Sequence, residues 1–344
     1  MNHEIYMRRC IELARKAFGN TYPNPMVGSV IVHNGKIIGE GYHHQAGGPH
    51  AEVNAILSVK TPSLLPESTI YVSLEPCAHY GKTPPCALKI RETGFRKVVI
   101  GTLDSHDKVN GKGKHILEEA GIEVISGVLE SECQRLNKRF FTFHQKKRPY
   151  IILKWAVSAD GFMDKNNKPY PIGNSLTRQF VHQMRSEEHA ILVGTRTALH
   201  DNPSLTTREI TGRNPVRILI DRQLKVSENF NIFNSEAPTF VFNSVKNEDR
   251  RNIRFIKTDE DEDFLQGMIK KLYENDIQSV LVEGGRETLN SFVRKNLWDE
   301  AVVITNPGLF LENGIPAPDF DFTAEKTVRF RDNAVQFFRN KASV

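Results

Sequence analysis

The chain reads His50-Ala51-Glu52 and, about two dozen residues later, Pro76-Cys77-Ala78-His79-Tyr80-Gly81-Lys82-Thr83-Pro84-Pro85-Cys86. One imidazole and two thiolates make three ligands of a tetrahedral Zn²⁺ and leave the fourth position to water. Glu52, two residues after the histidine, is placed to move protons to and from that water. Taken singly these residues are bland: a lone histidine is more often a satisfied surface or core residue, and two spaced cysteines are more often buried thiols. In this order, at the element ends described next, they read as a hydrolytic zinc site.

The flanks of the motif set the fold class. Residues 69–74 alternate as a strand that delivers Glu75-Pro76-Cys77 at its end. Gly47-Gly48-Pro49 breaks the chain before His50, and residues 51–59 then read as a helix. A second helix is expected from Pro85, a favoured first-turn residue, to Thr93, with Gly94 as its stop. Two helix starts thus meet the ligands, and their partial positive charge favours thiolate over thiol. Upstream, Ile5, Cys10, Leu13, Ala14, Ala17 and Phe18 lie near helical spacing, and Asn34-Gly35 joins strands at 27–33 and 36–42 as a hairpin. Downstream, residues 97–101, 111–120 and 122–126 read strand, helix, strand, and 130–143 reads as one closing helix. The alternation implies a layered α/β domain. Gln145-Lys146-Lys147-Arg148-Pro149 is a short polar linker, so a first domain is expected over 1–146 and a second over 150–344.

Zinc deaminases acting on bases carry H-x-E followed by P-C-x-x-C. Here eight residues separate the cysteines instead of two. That spacing, with its internal His, Gly-Lys-Thr and Pro-Pro, resembles the deaminase domain of the bifunctional riboflavin-biosynthesis deaminase/reductases, in which P-C-x-H-x-G-[KR]-T-P-P-C is close to diagnostic. The resemblance implies a cytidine-deaminase-like α/β/α fold. It makes His50, Cys77 and Cys86 the zinc ligands and Glu52 the proton shuttle, and it puts Asn24, His43, His79 and Lys82 against the pyrimidine and its ribose phosphate. Chemically, His79 and Lys82 are donors on the loop between the two ligating cysteines. Lys82 fits a solvated surface charge equally well.

The second half opens on a strand at 150–157, with later strands at 189–193, 216–220, 239–242 and 279–283 and helices near 175–185, 263–274 and 287–295. No G-x-G-x-x-G loop accompanies them. Val282-Glu283-Gly284-Gly285 instead puts two glycines between a strand and a helix start, where free backbone N–H groups suit a diphosphate, although an isolated glycine pair is usually a plain turn. With Leu153-Lys154, Ser158-Ala159-Asp160-Gly161, Ile191-Leu192-Val193-Gly194 and Asp201-Asn202-Pro203-Ser204-Leu205-Thr206, the set resembles the reductase domain of the same family. That resemblance implies a dihydrofolate-reductase-like α/β fold. It implies NADPH contacts at Ala156, Thr197, Asp201, Gly285, Arg286, Glu287, Thr288 and Leu289, and substrate contacts at Arg185, Leu205, Arg208 and Glu283. Arg185 and Arg208 suit phosphate because a guanidinium offers two parallel donors. Two departures stand out. Pro171-Ile172-Gly173 occupies the place of the family's Trp-Ile-Thr or Trp-Ile-Ser, and residues 308–314 replace its Lys-Leu-hydrophobic-Gly-Gly run. Both predict a reductase that is weaker, altered in substrate or assisted by a partner subunit.

Composition bounds the rest. At 344 residues, with 39% apolar and 25% charged residues, the chain suits two ordinary globular domains. A formal charge of +5 without a long Lys/Arg run gives no call for nucleic acid. The charged N-terminus is no signal peptide and no apolar run spans a membrane, so neither secretion nor a membrane partner is expected. Four cysteines are too few for a disulfide framework; Cys10 and Cys133 are expected as buried small apolar residues in a cytoplasmic protein. Together these readings predict a bifunctional enzyme that deaminates 2,5-diamino-6-(5-phosphoribosylamino)pyrimidin-4(3H)-one with zinc and then reduces the ribosyl chain to ribityl with NADPH. Its partner is then a phosphorylated pyrimidine, and the resemblance adds a homo-oligomer. The rivals are a deaminase acting on a flipped nucleic-acid base, and a deaminase or metabolite-binding protein with an inactive reductase half.

Overall fold

A computed structural model describes residues 2–78, 80, 84–104, 111–258 and 263–343. It divides into two compact units, Met1–Lys147 and Arg148–Val344. Among the described residues no helix is long and apolar enough to cross a membrane.

The first unit runs α1 (His3–Arg15), β1 (Gly28–His33), β2 (Lys36–Tyr42), α2 (Ala51–Leu57), β3 (Thr69–Leu74), α3 (Cys86–Thr93), β4 (Lys97–Thr102), α4 (Lys112–Glu119), β5 (Glu123–Ser126), α5 (Glu130–Leu136) and α6 (Lys138–Lys146). Its five-stranded sheet is ordered β2-β1-β3-β4-β5. β1 runs antiparallel to both neighbours, while β3, β4 and β5 are parallel. The Asn34-Gly35 turn has positive φ at both residues, 50° and 77°, as a two-residue hairpin of the right twist requires. Each sheet face carries its own core. Ala55, Ala87, Ile90 and Leu117 from α2, α3 and α4 cover Ile31, Ile70, Val72, Val98 and Ile100. Met7, Cys10, Ile11, Ala14, Cys133 and Leu136 from α1 and α5 cover Val30, Val32, Tyr71 and Val99. Both spare cysteines are fully buried, and burial pushes their thiols up.

The single closing helix expected over 130–143 is in fact two, broken at Asn137. Its side chain accepts from the Met26 N–H and donates to the Met26 carbonyl, both at 2.8 Å. That pair holds the segment before β1 against the helix break, a long-range bond that local periodicity cannot reveal.

α2 lies close on β2 because β2 has glycines where the two meet. A Cβ on Gly41 would stand 2.3 Å from Ala55 N and 2.7 Å from Ala51 O. Gly41→Ala is therefore expected to cost about 1–3 kcal/mol by overpacking. A melting curve reads the loss, and zinc should be retained less firmly because α2 carries the metal-facing turn. An unchanged melting temperature would show that α2 can move away freely.

The second unit runs β6 (Tyr150–Ser158), α7 (Ser175–Glu187), β7 (Ala190–Gly194), α8 (Thr195–Asp201), β8 (Val216–Ile220), β9 (Thr239–Asn243), β10 (Glu248–Arg250), β11 (Ile253–Lys257), α9 (Phe264–Glu274), β12 (Ser279–Val282), α10 (Arg286–Arg294), β13 (Glu300–Asn306), β14 (Lys326–Phe330) and β15 (Asn333–Arg339). Ten strands form one sheet in the order β10-β11-β9-β8-β7-β12-β6-β13-β15-β14. β11 to β13 along that order are parallel, and antiparallel β10 and the β14–β15 hairpin close the edges. α8 and the strands β10, β11, β13, β14 and β15 go beyond the elements expected from sequence. The central strands are almost wholly buried, as parallel strands covered on both faces must be. Apolar residues of β6, β12 and α9 pack with fully buried Trp298.

Candidate functional site

In the first unit, three elements deliver the metal-facing side chains. His50 is the residue before α2, Cys77 follows the end of β3, and Cys86 opens α3. His50 Nδ1 lies 3.6 Å from Cys77 Sγ and 3.4 Å from Cys86 Sγ. The three donor atoms all fall within 4.8 Å of one another, and no other group of this kind occurs among the described residues. The Cys86 backbone N–H points at Cys77 Sγ at 3.3 Å, a donor that favours thiolate. Hydrogen bonds from Cys86 and His50 hold the Cys77 thiol low, while the neighbouring Cys77 sulfur and burial push Cys86 up. Two sulfurs and one nitrogen held this close suit a soft divalent cation, and the donor set is that of zinc.

Glu52 sits in the first turn of α2 and is buried. Burial first, and the Cys77 charge second, push its carboxyl up to about 7. A carboxyl poised there can both take and give a proton near neutrality. Asn24 and His43 gather at the same place. His43 Nδ1 donates to the Pro49 carbonyl at 3.0 Å, which leaves Nε2 to accept from Asn24 Nδ2 at 3.1 Å. The His43 ring meets the His50 ring edge-on at 5.2 Å. His79 and Lys82 lie outside the described residues. Glu75 was read from sequence only as part of the strand end. Its buried carboxylate accepts from the N–H groups of Asp104 (3.1 Å), Gly111 (3.0 Å) and Lys114 (3.0 Å), tying the start of α4 to the segment that carries Cys77.

In the second unit a cavity of about 900 Å³ opens at the carboxyl ends of β6, β7, β8, β9 and β12, the usual ligand side of a parallel sheet. Ala156, Thr197, Asp201, Gly285, Arg286, Glu287, Thr288 and Leu289 all line it, so the whole expected cofactor set comes together. Gly285 precedes α10 without any side-chain cap, leaving the first-turn N–H groups to a ligand. A Cβ on Gly285 would come 2.9 Å from Thr197 Oγ1, and one on Gly194 would come 2.6 Å from Thr288 Oγ1, so side chains there would fill the cradle. The cradle fits a dinucleotide diphosphate.

The expected substrate set divides. Glu283 lines the cavity, but its carboxylate takes both arms of Arg185, Nε and Nη2 at 2.9 Å each. Arg185 Nη1 reaches the Thr206 carbonyl at 3.2 Å and Arg208 Nη1 the Thr206 hydroxyl at 3.4 Å; Leu205 is buried beside them, with φ of 53°. Arg185 therefore meets Glu283 rather than standing free as a phosphate fork. Lys154, read only as part of a motif, has its Nζ 3.7 Å from Glu283. Burial pushes its ammonium down against the pull of Glu283. A lysine inside the apolar run Ile151-Ile152-Leu153-Lys154-Trp155 was the sequence signal. Arg222 and Lys225 also line the cavity, and no sequence pattern marked them.

The two departures also find places. Pro171 is exposed, but Tyr170 and Ile172 on either side of it line the cavity, so the wall keeps an aromatic ring. Residues 309–315 fold onto the loop after β6. Leu311 and Glu312 donate backbone N–H groups to the Asp160 carboxylate, and Ile315 donates to Asp164 Oδ1 at 2.7 Å.

Comparison with known proteins covers both units. Residues 1–102 match the model of the cytidine and deoxycytidylate deaminase zinc-binding region, and residues 149–341 match that of the RibD C-terminal domain. The riboflavin biosynthesis protein RibD of Aquifex aeolicus is 39% identical, over 96% of this chain and 94% of its own length. That of Escherichia coli is 34% identical over 94% and 95%. The crystal structure of a diaminohydroxyphosphoribosylaminopyrimidine deaminase/5-amino-6-(5-phosphoribosylamino)uracil reductase from Thermotoga maritima superposes with a TM-score of 0.89 at 37% identity, covering 98% of each chain.

Proposed function

Because the chain belongs to the RibD family of riboflavin-biosynthesis deaminase/reductases, we propose that its first unit removes an amino group from 2,5-diamino-6-(5-phosphoribosylamino)pyrimidin-4(3H)-one and its second unit reduces the ribosyl chain of the product to ribityl. The observation that carries this reading is the convergence of His50, Cys77 and Cys86 beside a buried carboxyl, Glu52.

His50, Cys77 and Cys86 would hold the zinc, which when bound supplies a Lewis acid that brings the pKa of water toward neutrality. Glu52 does the proton work: its carboxylate oxygen takes a proton as a C–O bond forms at the amino-bearing ring carbon. It returns that proton to the nitrogen as the C–N bond breaks and ammonia leaves. Asn24 and His43 form a hydrogen-bonded pair beside the histidine ligand, which supports their role in orienting the ring. His79 and Lys82 are proposed for the phosphate on the family pattern alone. In the second unit NADPH, when bound, supplies the hydride. Gly285 to Leu289 with Ala156, Thr197 and Asp201 would hold the cofactor, while Glu283, steadied by Arg185 and Lys154, faces the sugar. Leu205 and Arg208 complete the proposed substrate side. The two cysteines outside the metal site, Cys10 and Cys133, are unpaired and support a reducing, cytoplasmic setting, and the family reading extends to a homo-oligomer with no nucleic-acid partner.

The test supplies the diaminopyrimidine ribotide with and without NADPH, following ammonia and nicotinamide absorbance separately. Ammonia release without NADPH, followed by substrate-dependent NADPH oxidation, is expected, with about one zinc per chain by metal analysis. Ammonia without any oxidation would leave the deaminase reading and remove the reductase one. Active, freshly purified protein without zinc would remove the metal site.

A further inference from the structure

The loop between β6 and α7 forms one wall of the reductase cavity with Met163, Asp164, Pro169, Tyr170 and Ile172. Its tip is Lys165-Asn166-Asn167-Lys168. Lys165 and Lys168 exchange backbone hydrogen bonds of 3.1 and 2.9 Å, and Asn166 and Asn167 both have positive φ, 54° and 56°. This is a two-residue hairpin turn of the type that Asn tolerates. The tip is tied to α8. The Asn167 carbonyl faces His200 Nε2, and on the other side of the ring His200 Nδ1 stands 2.6 Å from Asp201 Oδ1. Both ring nitrogens thus meet acceptors. A neutral imidazole carries one N–H and can satisfy only one of them; the imidazolium donates to both.

We propose that His200 is a positioning residue of the reductase, whose imidazolium ties the tip of the cavity-wall loop to Asp201 and so holds the cofactor side of the cavity in shape. The inference rests on the reading of this cavity as the NADPH site. The Asn167 carbonyl first, the Asp201 carboxylate second and the charge of Asp164 all favour the protonated ring and raise its pKa above the ordinary histidine value. The charged groups that act on the ring are Asp201 on its own helix and Asp164 in the loop; Arg196 lies one turn earlier on α8, and Lys165 and Lys168 flank the turn, with Lys165 Nζ 5.8 Å from the Tyr170 ring. The sign follows from the raised value. Below it the double tie is complete. As the pH rises through it, one donor is lost and a ring lone pair is turned on an oxygen. NADPH binding is then strongest on the acid side and weakens on the alkaline side.

The test measures the NADPH dissociation constant of the full chain by fluorescence from about pH 6 to about pH 9, alongside His200→Gln and His200→Arg. The cofactor's own phosphate titrates alike in all three. Wild type is expected to bind about fivefold more tightly than His200→Gln at the acid end and equally at the alkaline end. His200→Arg, a permanent cation, should keep the tight binding throughout. In assays the change should fall on KM for NADPH rather than on kcat. An NMR titration of the His200 ring in the free protein should give a pKa above the ordinary value. Parallel pH profiles for wild type and His200→Gln, or a His200 pKa at or below the ordinary value, would overturn the proposal. Failure of wild type to bind NADPH at any pH would instead strike the cavity reading beneath it, and the NMR titration would still decide whether the tie exists.

Discussion

Replacing Glu52 by Gln is expected to slow ammonia release by about 10²–10⁴-fold while leaving about one zinc per chain. The amide keeps the volume of the carboxyl, so the buried start of α2 should stay packed. It cannot accept a proton from water or return one to a leaving amine. Cys77 and Cys86 come from the end of β3 and the start of α3, and His50 precedes α2 on backbone that the isosteric amide leaves in place, so the donor atoms should remain within the same small space. Ammonia assay and metal analysis on one preparation separate the two effects. Full activity in Glu52→Gln would take the residue out of the mechanism; loss of zinc together with activity would make its role structural.

The second large effect is expected at Glu283. Its side chain is only 8% exposed, and it carries the two-armed bond to Arg185 and the 3.7 Å contact with Lys154. Burial alone would raise its pKa, but Arg185 and Lys154 outweigh burial and hold it down to about 2. Glu283→Gln removes the charge and leaves two buried cations facing each other. Breaking a buried pair from one side typically costs about 3–5 kcal/mol. Denaturant melts of the variant should show a less stable second unit, and substrate-dependent NADPH oxidation should be lost, whereas ammonia release should continue. The same depressed pKa predicts acid lability in wild type. The stabilisation is present above the unfolded carboxyl value of about 4.3 and drains away as the pH falls through the folded value. A variant as stable as wild type, with reduction intact, would show that Arg185 and Lys154 find other partners.

Much of the first site was legible in the sequence, because its ligands sit where elements change. The Gly-Gly-Pro before His50, the strand running into Pro76-Cys77 and the Pro-Pro before Cys86 each mark a start or stop, and local chemistry sets those. Element identity followed from periodicity for β1 to β5. The helix break at Asn137 did not, because it depends on a bond to Met26 more than a hundred residues away. In the second unit the motif residues around Gly284-Gly285 could be read as one cofactor set, and they do line one cavity.

By itself, then, the sequence determined the chemistry of the donor atoms, the two-domain α/β order and the starts of the two helices that meet the metal ligands, since residue type and short spacing govern those. The tertiary structure alone decided the pairings. Arg185 closes on Glu283 and Lys154 joins them; Glu75 fastens α4; His200 reaches a loop tip 33 residues away. For Glu283, Lys154 and Glu75 such contacts form because burial leaves a charge no water to turn to, whereas exposed His200 meets its partners only because the loop tip is packed beside α8. In each case the partner depends on how distant segments pack.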